Sequence, residues 1–525
     1  MIAKESIKLF ASPQQLLYNT YTKSKRSDSF MNEDVIVVGG GFGGLTTAAL
    51  LTKAGYHVTV LEASKEWGGC AGKFQHNGFT FPVGATLGMG FEKEGIHARI
   101  LNHLGLSIHT TLLEHVMTIN KPHQSAIHIY RDRQMYLQEL KRAFPIHASS
   151  IESFYTEVWG IAQVVQSFMK SLPAVPLTHL ADSKPLIQGA SLRMFKVLPY
   201  LNKTLKHLLK KHRLHQATDF IHFIDGLLID SMQTTSKHCS ALIGSVALDI
   251  YHRGAYYVEG GLYKVAEALA SYCNENGGEA RLNRKVVTIE KHGSEWKVID
   301  RRGDERICKH LVLNVPLSSL PSLLGDSYSN LSSKLKIKAR IDTWAAFSVY
   351  GVLKEEHIDP SAPLFQQVIQ STHTLSEADH LFISLSKRND RFRAPAGYRT
   401  FTASTHTEAR NWQVEGAYDT LKEKLSKKME TGLQLAFPNY QDALHSSMLG
   451  APFAWERFTS RAGGMVGGFP QTLDHSLFNS LSHRTPLTNL WLTGDHVFPG
   501  ASTLGVSVSG YHVFRSITKH AIPID

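Results

Sequence analysis

The tract from Asp34 to Glu62, DVIVVGGGFGGLTTAALLTKAGYHVTVLE, constrains this chain more than any other stretch. Asp34–Val38 is short, apolar and β-branched, as a strand buried on both faces requires. Leu45 to Ala54 is rich in alanine and leucine and stops at Gly55, a helix C-terminal signal. His57–Leu61 reads as a second strand ending on an acid, Glu62. The pieces form a strand–helix–strand unit of roughly 30 residues, with glycines spaced Gly39-x-Gly41-x-x-Gly44. Gly39 permits a tight turn, Gly41 lets a pyrophosphate approach bare backbone, and Gly44 lets the helix pack on the sheet. The free N–H groups of a helix start suit phosphate, and Glu62 can accept from a ribose hydroxyl. A dinucleotide site follows. Val35–Thr52 carries no charge over eighteen residues, yet five glycines within Val37–Leu45 and the adjoining Lys53 argue against a membrane span.

A length of 525 residues accommodates two or more domains, and 42% apolar with 19% charged content fits a globular chain. The net charge of +11 suits an acidic partner, an anionic membrane surface or nucleic acid. With no basic–aromatic binding motif, nucleic acid is not expected. Cys70, Cys239, Cys273 and Cys308 are scattered without a CxxC pair, which fits a reduced, cytoplasmic compartment. The 28 histidines include no HExxH motif or Cys/His cluster, so no metal site is expected. His212 and His215 read as a solvated helix face. Residues 1–30 mix Glu5 and Asp28 with several lysines and lack an apolar core, unlike a signal or transit peptide. They read as a leader, with Met31 an alternative start.

Two further segments identify the dinucleotide. LEASKEWGGCAGKFQHNGFTFPVGAT, Leu61 to Thr86, carries the doublet Gly68-Gly69, then Gly72, Gly78 and Gly84. It resembles the doublet and turn that line the pyrophosphate and flavin in the amine-oxidase and phytoene-desaturase superfamily. NLWLTGDHVFPGASTLGVSVSGYHVFRSI, Asn489 to Ile517, runs from a strand (Leu490–Thr493) through Gly494-Asp495 and Pro499-Gly500 into a helix near Gly505. In those flavoproteins the Gly-Asp meets the ribityl chain, and the helix start faces the flavin, where its positive end stabilises negative charge. A nicotinamide enzyme has no need of such an element some 450 residues from the first. FAD is the expected cofactor.

Most of the chain, in order, resembles the family of phytoene desaturases, carotenoid isomerases and retinol saturase. GAYYVEGGLYKVAEALA (Gly254–Ala270), GGEARLNRKVVTIE (Gly277–Glu290), LVLNVP (Leu311–Pro316) and the C-terminal GD-x-x-FPG block carry the likeness. The last lies closest to the carotenoid isomerase and 3′,4′-desaturase branch. The resemblance implies an α/β fold, a Rossmann-type FAD-binding domain interleaved with a mixed-sheet substrate domain and a helical, apolar-basic cap. It implies FAD contacts from Gly39, Gly41, Phe42, Gly43 and Gly44, from Glu62, from Gly68, Gly69 and Cys70, and from Gly84 and Ala85. Val286 or Val287 would lend backbone to the adenine, and Gly494, Asp495, Gly505 and Val506 would complete the site. With no cysteine after Cys308, the FAD is expected to be noncovalent. The chain departs from the family at Cys70, where arginine is common, and at Pro82, where the branch usually has aspartate.

The expected activity is desaturation or isomerisation of a carotenoid or related isoprenoid polyene, through hydride transfer to or from flavin N5. An amine oxidase-like flavoprotein and a non-catalytic FAD-binding scaffold remain the alternatives. In WERFTSRAGGMVGGFP, Glu456 and Arg461 are candidates for acid/base and electrostatic roles, and His496 could lie near the flavin. SLRMFKVLPYLNKTLKHLLKKHRLH predicts an amphipathic helix with Leu198, Leu201, Leu205, Leu208 and Leu209 on one stripe among lysines and arginines. Such a helix can lie on a membrane surface, which would make the protein peripherally membrane-associated. Strands are predicted at Thr343–Val352, Leu381–Leu385 and Tyr398–Thr405, and a helix at Tyr418–Ala436. The expected order is a leader (1–30), FAD domain (31–113), helical substrate- and membrane-facing region (114–245), FAD domain (246–325), mixed-sheet substrate domain (326–450) and FAD domain (451–525).

Overall fold

Near-continuous apolar runs form a parallel core sheet in the order Glu279–Arg281, Val58–Leu61, Asn32–Val38 and Glu305–Leu313. These belong to a computed structural model that describes residues 32–371 and 373–522, so the expected leader and Met31 lie outside the described residues. Val35 and Val37 pack toward the helices Phe42–Lys53, Tyr263–Glu275 and Ser502–Thr518. Ile36 and Val38 pack on the other side with Trp296, Leu311 and Leu320. Burial on both faces explains the absence of polar alternation in this strand. Glu305–Leu313 pairs antiparallel with Glu295–Asp300 through its first half. Its last residues, Leu311 to Leu313, take Leu490–Leu492 as a parallel neighbour. Among the described residues, the last strand is thereby separated from the first by the single strand Glu305–Leu313.

A second sheet has the order Leu444–Gly450, Trp344–Lys354, Tyr398–Glu408, His380–Leu385, Phe365–Ile369, His115–Asn120 and Ile127–Tyr130. Its strands alternate. Phe347, Val349, Leu381, Ile383, Phe401 and Ala403 meet Leu425, Met429 and Leu433 of the helix Ala417–Ala436. The intervening positions Ala346, Ser348, Phe382, Ser404 and His406 form the opposite face. His115–Asn120 and Ile127–Tyr130 join this sheet before the 114–245 region turns helical. The helices Ala148–Met169, Thr218–Met232 and Ala241–Arg253 then share a core with Phe154, Tyr155, Phe220 and Phe223 at its centre. The fold is α/β with a Rossmann-type domain assembled from distant segments, as the sequence implied.

The predicted helix through Leu198–Leu209 is not continuous. Short 3-10 turns at Leu192–Lys196 and Leu198–Tyr200 precede a separate helix, Leu205–Lys211, that starts after Thr204. Leu205 N–H donates to the Cys239 carbonyl, and Leu205, Leu208 and Leu209 are buried in the cap core. Three leucines of the stripe therefore face protein rather than lipid. Periodicity marks an apolar face but cannot say what covers it. His212 is not solvated either, because its ring pairs with Glu157 at 2.6 Å. Leu208→Ala should cost about 2–5 kcal/mol, measured by thermal or denaturant unfolding; a change within about 0.5 kcal/mol would mean that this leucine faces solvent.

Candidate functional site

The glycine loop closes around one side chain from elsewhere, Asn314 at the end of the Glu305–Leu313 strand. Asn314 N–H donates to the Val38 carbonyl at 2.8 Å, and its side-chain amide donates to the Gly39 carbonyl at 3.1 Å. Gly39 has φ +102°, and a Cβ there would stand 2.3 Å from the Asn314 carbonyl oxygen. A Cβ on Gly41 would stand 2.8 Å from the Asn314 amide nitrogen, and one on Gly44 would stand 2.3 Å from the Gly39 oxygen. Gly44 thus has the close-packing role expected of it. Gly43 and Phe42 open the helix Phe42–Lys53, whose start is capped by Gly41 in extended conformation. Thr47 Oγ1 donates to both the Gly43 carbonyl (2.9 Å) and the Gly510 carbonyl (3.0 Å), locking this helix to the last one.

Glu62 is held by backbone. Gly40 N–H donates to Oε2 at 2.5 Å and Ser64 N–H to Oε1 at 2.7 Å. Burial pushes its carboxyl above the usual range, against the N–H groups of Ser64, Gly40 and Ala63, which favour the anion. Gly68 (φ +105°) bridges back to Gly41, and its N–H donates to the Gly40 carbonyl. Gly69 opens a single 3-10 turn through Ala71. Ala85 N–H donates to the Cys70 carbonyl at 3.2 Å, so the doublet also fixes the Gly84–Ala85 turn. Val286 is buried, Val287 is 38% exposed, and both line the cavity beside Glu62.

At the other end, Gly494 has φ +117° and its N–H donates to Ser509 Oγ at 3.0 Å. Arg461 Nη2 donates to Asp495 Oδ2 at 2.6 Å, and His496 Nδ1 lies 2.9 Å from Oδ1. Burial pushes Asp495 up, but Arg461 and then His496 hold it well below the usual carboxylate range. Burial disfavours the Arg461 cation, yet Asp495 and the Cys70 thiol raise its pKa. Burial likewise pushes the Cys70 thiol up against the opposing Arg461 charge. The guanidinium absent at position 70 is thus brought to Cys70 by Arg461, where it is committed to Asp495. His496 stands behind Asp495, edge-on to Phe469 at 4.9 Å between centroids. Glu456 is exposed on the Pro452–Thr459 helix at the cavity rim, apart from the Arg461–Asp495 pair.

Apart from Gly44 and His496, which lie off its wall, these groups line one cavity of about 1930 Å³, against roughly 300–1,000 Å³ for an ordinary small-molecule site. It runs from Glu62 and Val286, past Gly41 and Gly69, to Gly84, Ala85, Gly505 and Val506 at the start of the Ser502–Thr518 helix. The tract fits a dinucleotide whose far end is a flat polar ring. Thr86 Oγ1 and Trp455 Nε1 are buried on its wall without hydrogen-bond partners, as donors awaiting a ligand would be. Pro82 is buried in a hairpin with Lys73 and lies off the cavity wall, near Gly261, so the departure there removes no carboxylate from the chamber. The cavity continues between the second sheet and the cap, past Phe382, His406, Asp230, Ile250, Met169 and Val165.

Asn314, Asp230, His380 and His406 are not among the residues that the sequence singled out. Asn314 sits in LVLNVP with only its place after an apolar strand to mark it. Asp230 had a weak signal, as one of two acids, with Asp225, in the largely apolar FIDGLLIDSM. The 28 histidines gave no such cue for His380 or His406.

A family model described as flavin containing amine oxidoreductase matches residues 42–513. Prolycopene isomerase 1 from an Oncidium hybrid cultivar is 26% identical over 494 residues, 91% of this chain and 82% of its own length. All-trans-retinol 13,14-reductase from Rattus norvegicus is 24% identical over 515 residues, 89% of this chain and 82% of its own. These relatives belong to the branch that the C-terminal block resembles. A putrescine oxidase structure superposes with TM-score 0.64 at 15% identity, covering 93% of this chain and all of its own, a likeness of fold. Arg461→Met would leave Asp495 buried without its chief partner, at a cost of about 3–5 kcal/mol. The Asp495 contribution is present above the ordinary carboxylate range and is lost as pH falls through its depressed folded value. Acid unfolding of Arg461→Met should therefore begin at higher pH than in the wild type, as followed by circular dichroism; coincident acid transitions would show that the pair does not hold Asp495 ionised.

Proposed function

The chain belongs to the flavin-containing amine oxidoreductase family, and on that footing we propose an FAD-dependent oxidoreductase that acts on a carotenoid or related isoprenoid polyene. The observation that carries this reading is the continuation of the cofactor cavity into an apolar chamber. Val165, Phe168, Met169, Ile243, Ile250 and Phe382 line it between cap and sheet. A long hydrocarbon can lie there end-on to the cofactor tract, with water excluded by burial. The similarity to prolycopene isomerases and retinol reductases supports an apolar conjugated substrate.

FAD, held without a covalent bond, would supply two-electron exchange with the substrate. Gly41 would give its pyrophosphate an approach to bare backbone, with Gly39 and Gly44 shaping the turn and its packing, and Glu62 would receive a ribose hydroxyl. Asp495, kept ionised by Arg461, would accept from the ribityl hydroxyls, while the Ser502–Thr518 helix start would face developing negative charge. Glu456 and His496 would act on the charge of this end of the site rather than on the hydrocarbon.

We extend the reading to a membrane surface, through other residues than the buried leucines. Leu180, Ile187 and Leu192 are 84%, 72% and 84% exposed, and Phe195 is 67% exposed. Lys184, Arg193, Lys196 and Lys203 are exposed around them. The helix Ser183–Gly189 packs on the end of the cap helix whose Phe168 and Met169 line the chamber. Apolar side chains ringed by cations suit an anionic bilayer, from which a hydrophobic substrate could enter. Among the described residues no helix is long and apolar enough to cross a membrane.

Purified protein should carry a flavin absorption spectrum and convert a poly-cis carotene or all-trans-retinol supplied in liposomes, with products resolved by chromatography. Peroxide formation from amines without action on either polyene would favour an amine oxidase instead. The double variant Leu192→Ser/Phe195→Ser should lose most co-sedimentation with phosphatidylserine-containing vesicles while keeping its thermal midpoint; undiminished binding would refute this contact surface.

A further inference from the structure

At the inner end of the chamber the second sheet presents a row of polar side chains, and one acid from the cap reaches it. Thr218–Met232 carries Asp230 to the wall opposite Gln367, His380 and His406. Gln367 Nε2 donates to Asp230 Oδ2 at 2.6 Å and to the Gly226 carbonyl at 3.2 Å. His380 Nε2 lies 3.6 Å from Asp230 Oδ2, and His406 Nδ1 lies 4.0 Å from Oδ1. These are too long for hydrogen bonds. Both ring nitrogens of His380 and Nδ1 of His406 are buried without partners. Around them stand Phe382, Met117, Ile250 and Tyr251, so the acid faces hydrocarbon-lined space.

Nothing in the fold demands a carboxyl here. Asp230 makes no helix cap and no ion pair with lysine or arginine, and among the described residues no group converges as metal ligands. Burial pushes its carboxyl up to about 8, against the Gln367 amide, which favours the anion. Burial drives His380 down to about 3, helped by His406, and His406 itself down to about 4. Burial raises the phenol of Tyr251, from the cap helix Ala241–Arg253, and the Asp230 charge adds to this. At neutral pH every titratable group facing the acid is uncharged, and the carboxyl holds its proton. A neutral carboxylic acid beside an apolar chamber is a proton donor without the desolvation that an ion would bring.

We propose that Asp230 is the group that exchanges a proton with the hydrocarbon chain bound in this chamber, with His406, His380 and Gln367 as positioning residues. The inference rests on the polyene reading. In hydrogen addition, one alkene carbon takes the Asp230 proton, and the π pair forms that C–H bond. Bound FAD in its reduced form would supply a hydrogen with its electron pair to the neighbouring carbon, so that C=C becomes CH–CH. The carboxylate left behind is reprotonated from water. Hydrogen removal is the reverse, with oxidised flavin as acceptor. In a redox-neutral isomerisation the Asp230 proton is added to one alkene CH, the weakened bond rotates, and that carbon returns one of its two hydrogens to the carboxylate, so that solvent hydrogen enters the product.

The test uses FAD-loaded protein, its flavin reduced anaerobically with dithionite, in deuterated water with a poly-cis carotene and all-trans-retinol in liposomes. The wild-type product should carry solvent deuterium, and Asp230→Asn should lose both this label and roughly 10²–10⁴-fold in kcat while retaining flavin absorption. Asp230→Glu, which keeps the acid, should restore labelling. Turnover by the wild type should fall as pH rises through about 8. Infrared spectroscopy, without substrate, should show a protonated carboxyl band at pH 7 that disappears near pH 8 and is absent from Asp230→Asn. Conversion by Asp230→Asn with undiminished labelling would overturn the proposal alone. A carboxyl that ionises in the ordinary acid range would do the same even if the asparagine variant failed to fold. No conversion of either polyene by the wild type would overturn the polyene reading and the proposal with it.

Discussion

The site depends on the contact between the Gly39–Gly44 loop and Asn314. The loop belongs to the first turn of the chain's first strand–helix unit, and the asparagine to a strand more than two hundred residues later. Between them there is no room for a side chain: Cβ atoms on Gly39, Gly41, Gly43 and Gly44 would all crowd Asn314 or the loop's own carbonyl. Gly494, from the far end of the chain, closes on the same amide, where its Cβ would stand 3.1 Å from the Asn314 side-chain oxygen. One half-buried amide thus gathers three chain segments at the ends of parallel strands, where open α/β sheets bind ligands. The positive end of the first helix, the Glu62 carboxyl and the Gly494–Asp495 turn acquire their places from that junction.

The second sheet complements it by having two dissimilar faces. Strand alternation buries Phe347, Val349, Leu381 and Phe401 under the Ala417–Ala436 helix and leaves Ala346, Ser348, Ser404 and His406 toward the chamber. A protein interior seldom leaves buried polar atoms unpaired, yet His380, Ser348, Ser384 and Gln367 all retain free nitrogen or oxygen atoms on this side. The cap supplies the facing wall and also the carboxyl that meets this row. The chamber is therefore apolar where a hydrocarbon would lie and polar at one defined place.

Charge is distributed by the same logic. Arg461 and His496 hold the Asp495 carboxyl below the usual range against its desolvation, whereas desolvation raises the Asp230 carboxyl, opposed only by the Gln367 amide. Two half-buried aspartates lining one cavity thus have their carboxyls shifted in opposite directions, by surroundings contributed from separate parts of the chain. The basic character of the cap lies on its outer surface, around Leu180, Ile187 and Leu192, away from either aspartate.

The local order of strand, glycine turn, helix, strand and acid was legible at Asp34–Glu62 because every part of it is contiguous and each has its own steric or dipolar reason. The alternation of TWAAFSVYGV and the helix at Ala417–Ala436 were legible for the same cause: periods of two and 3.6 are properties of neighbouring residues. What covers a periodic face is not. Leu205, Leu208 and Leu209 have the spacing of a membrane-facing stripe, but Phe154, Phe220 and Cys239 fill the space against them. Likewise, Asn314, His380 and His406 are unremarkable where they stand in the chain, and Asp230 is only one of two acids in an apolar run. Their character comes from contacts between segments far apart in sequence, and only the packed structure, by removing water and bringing them together, decides which is a peg, which an anion and which an acid.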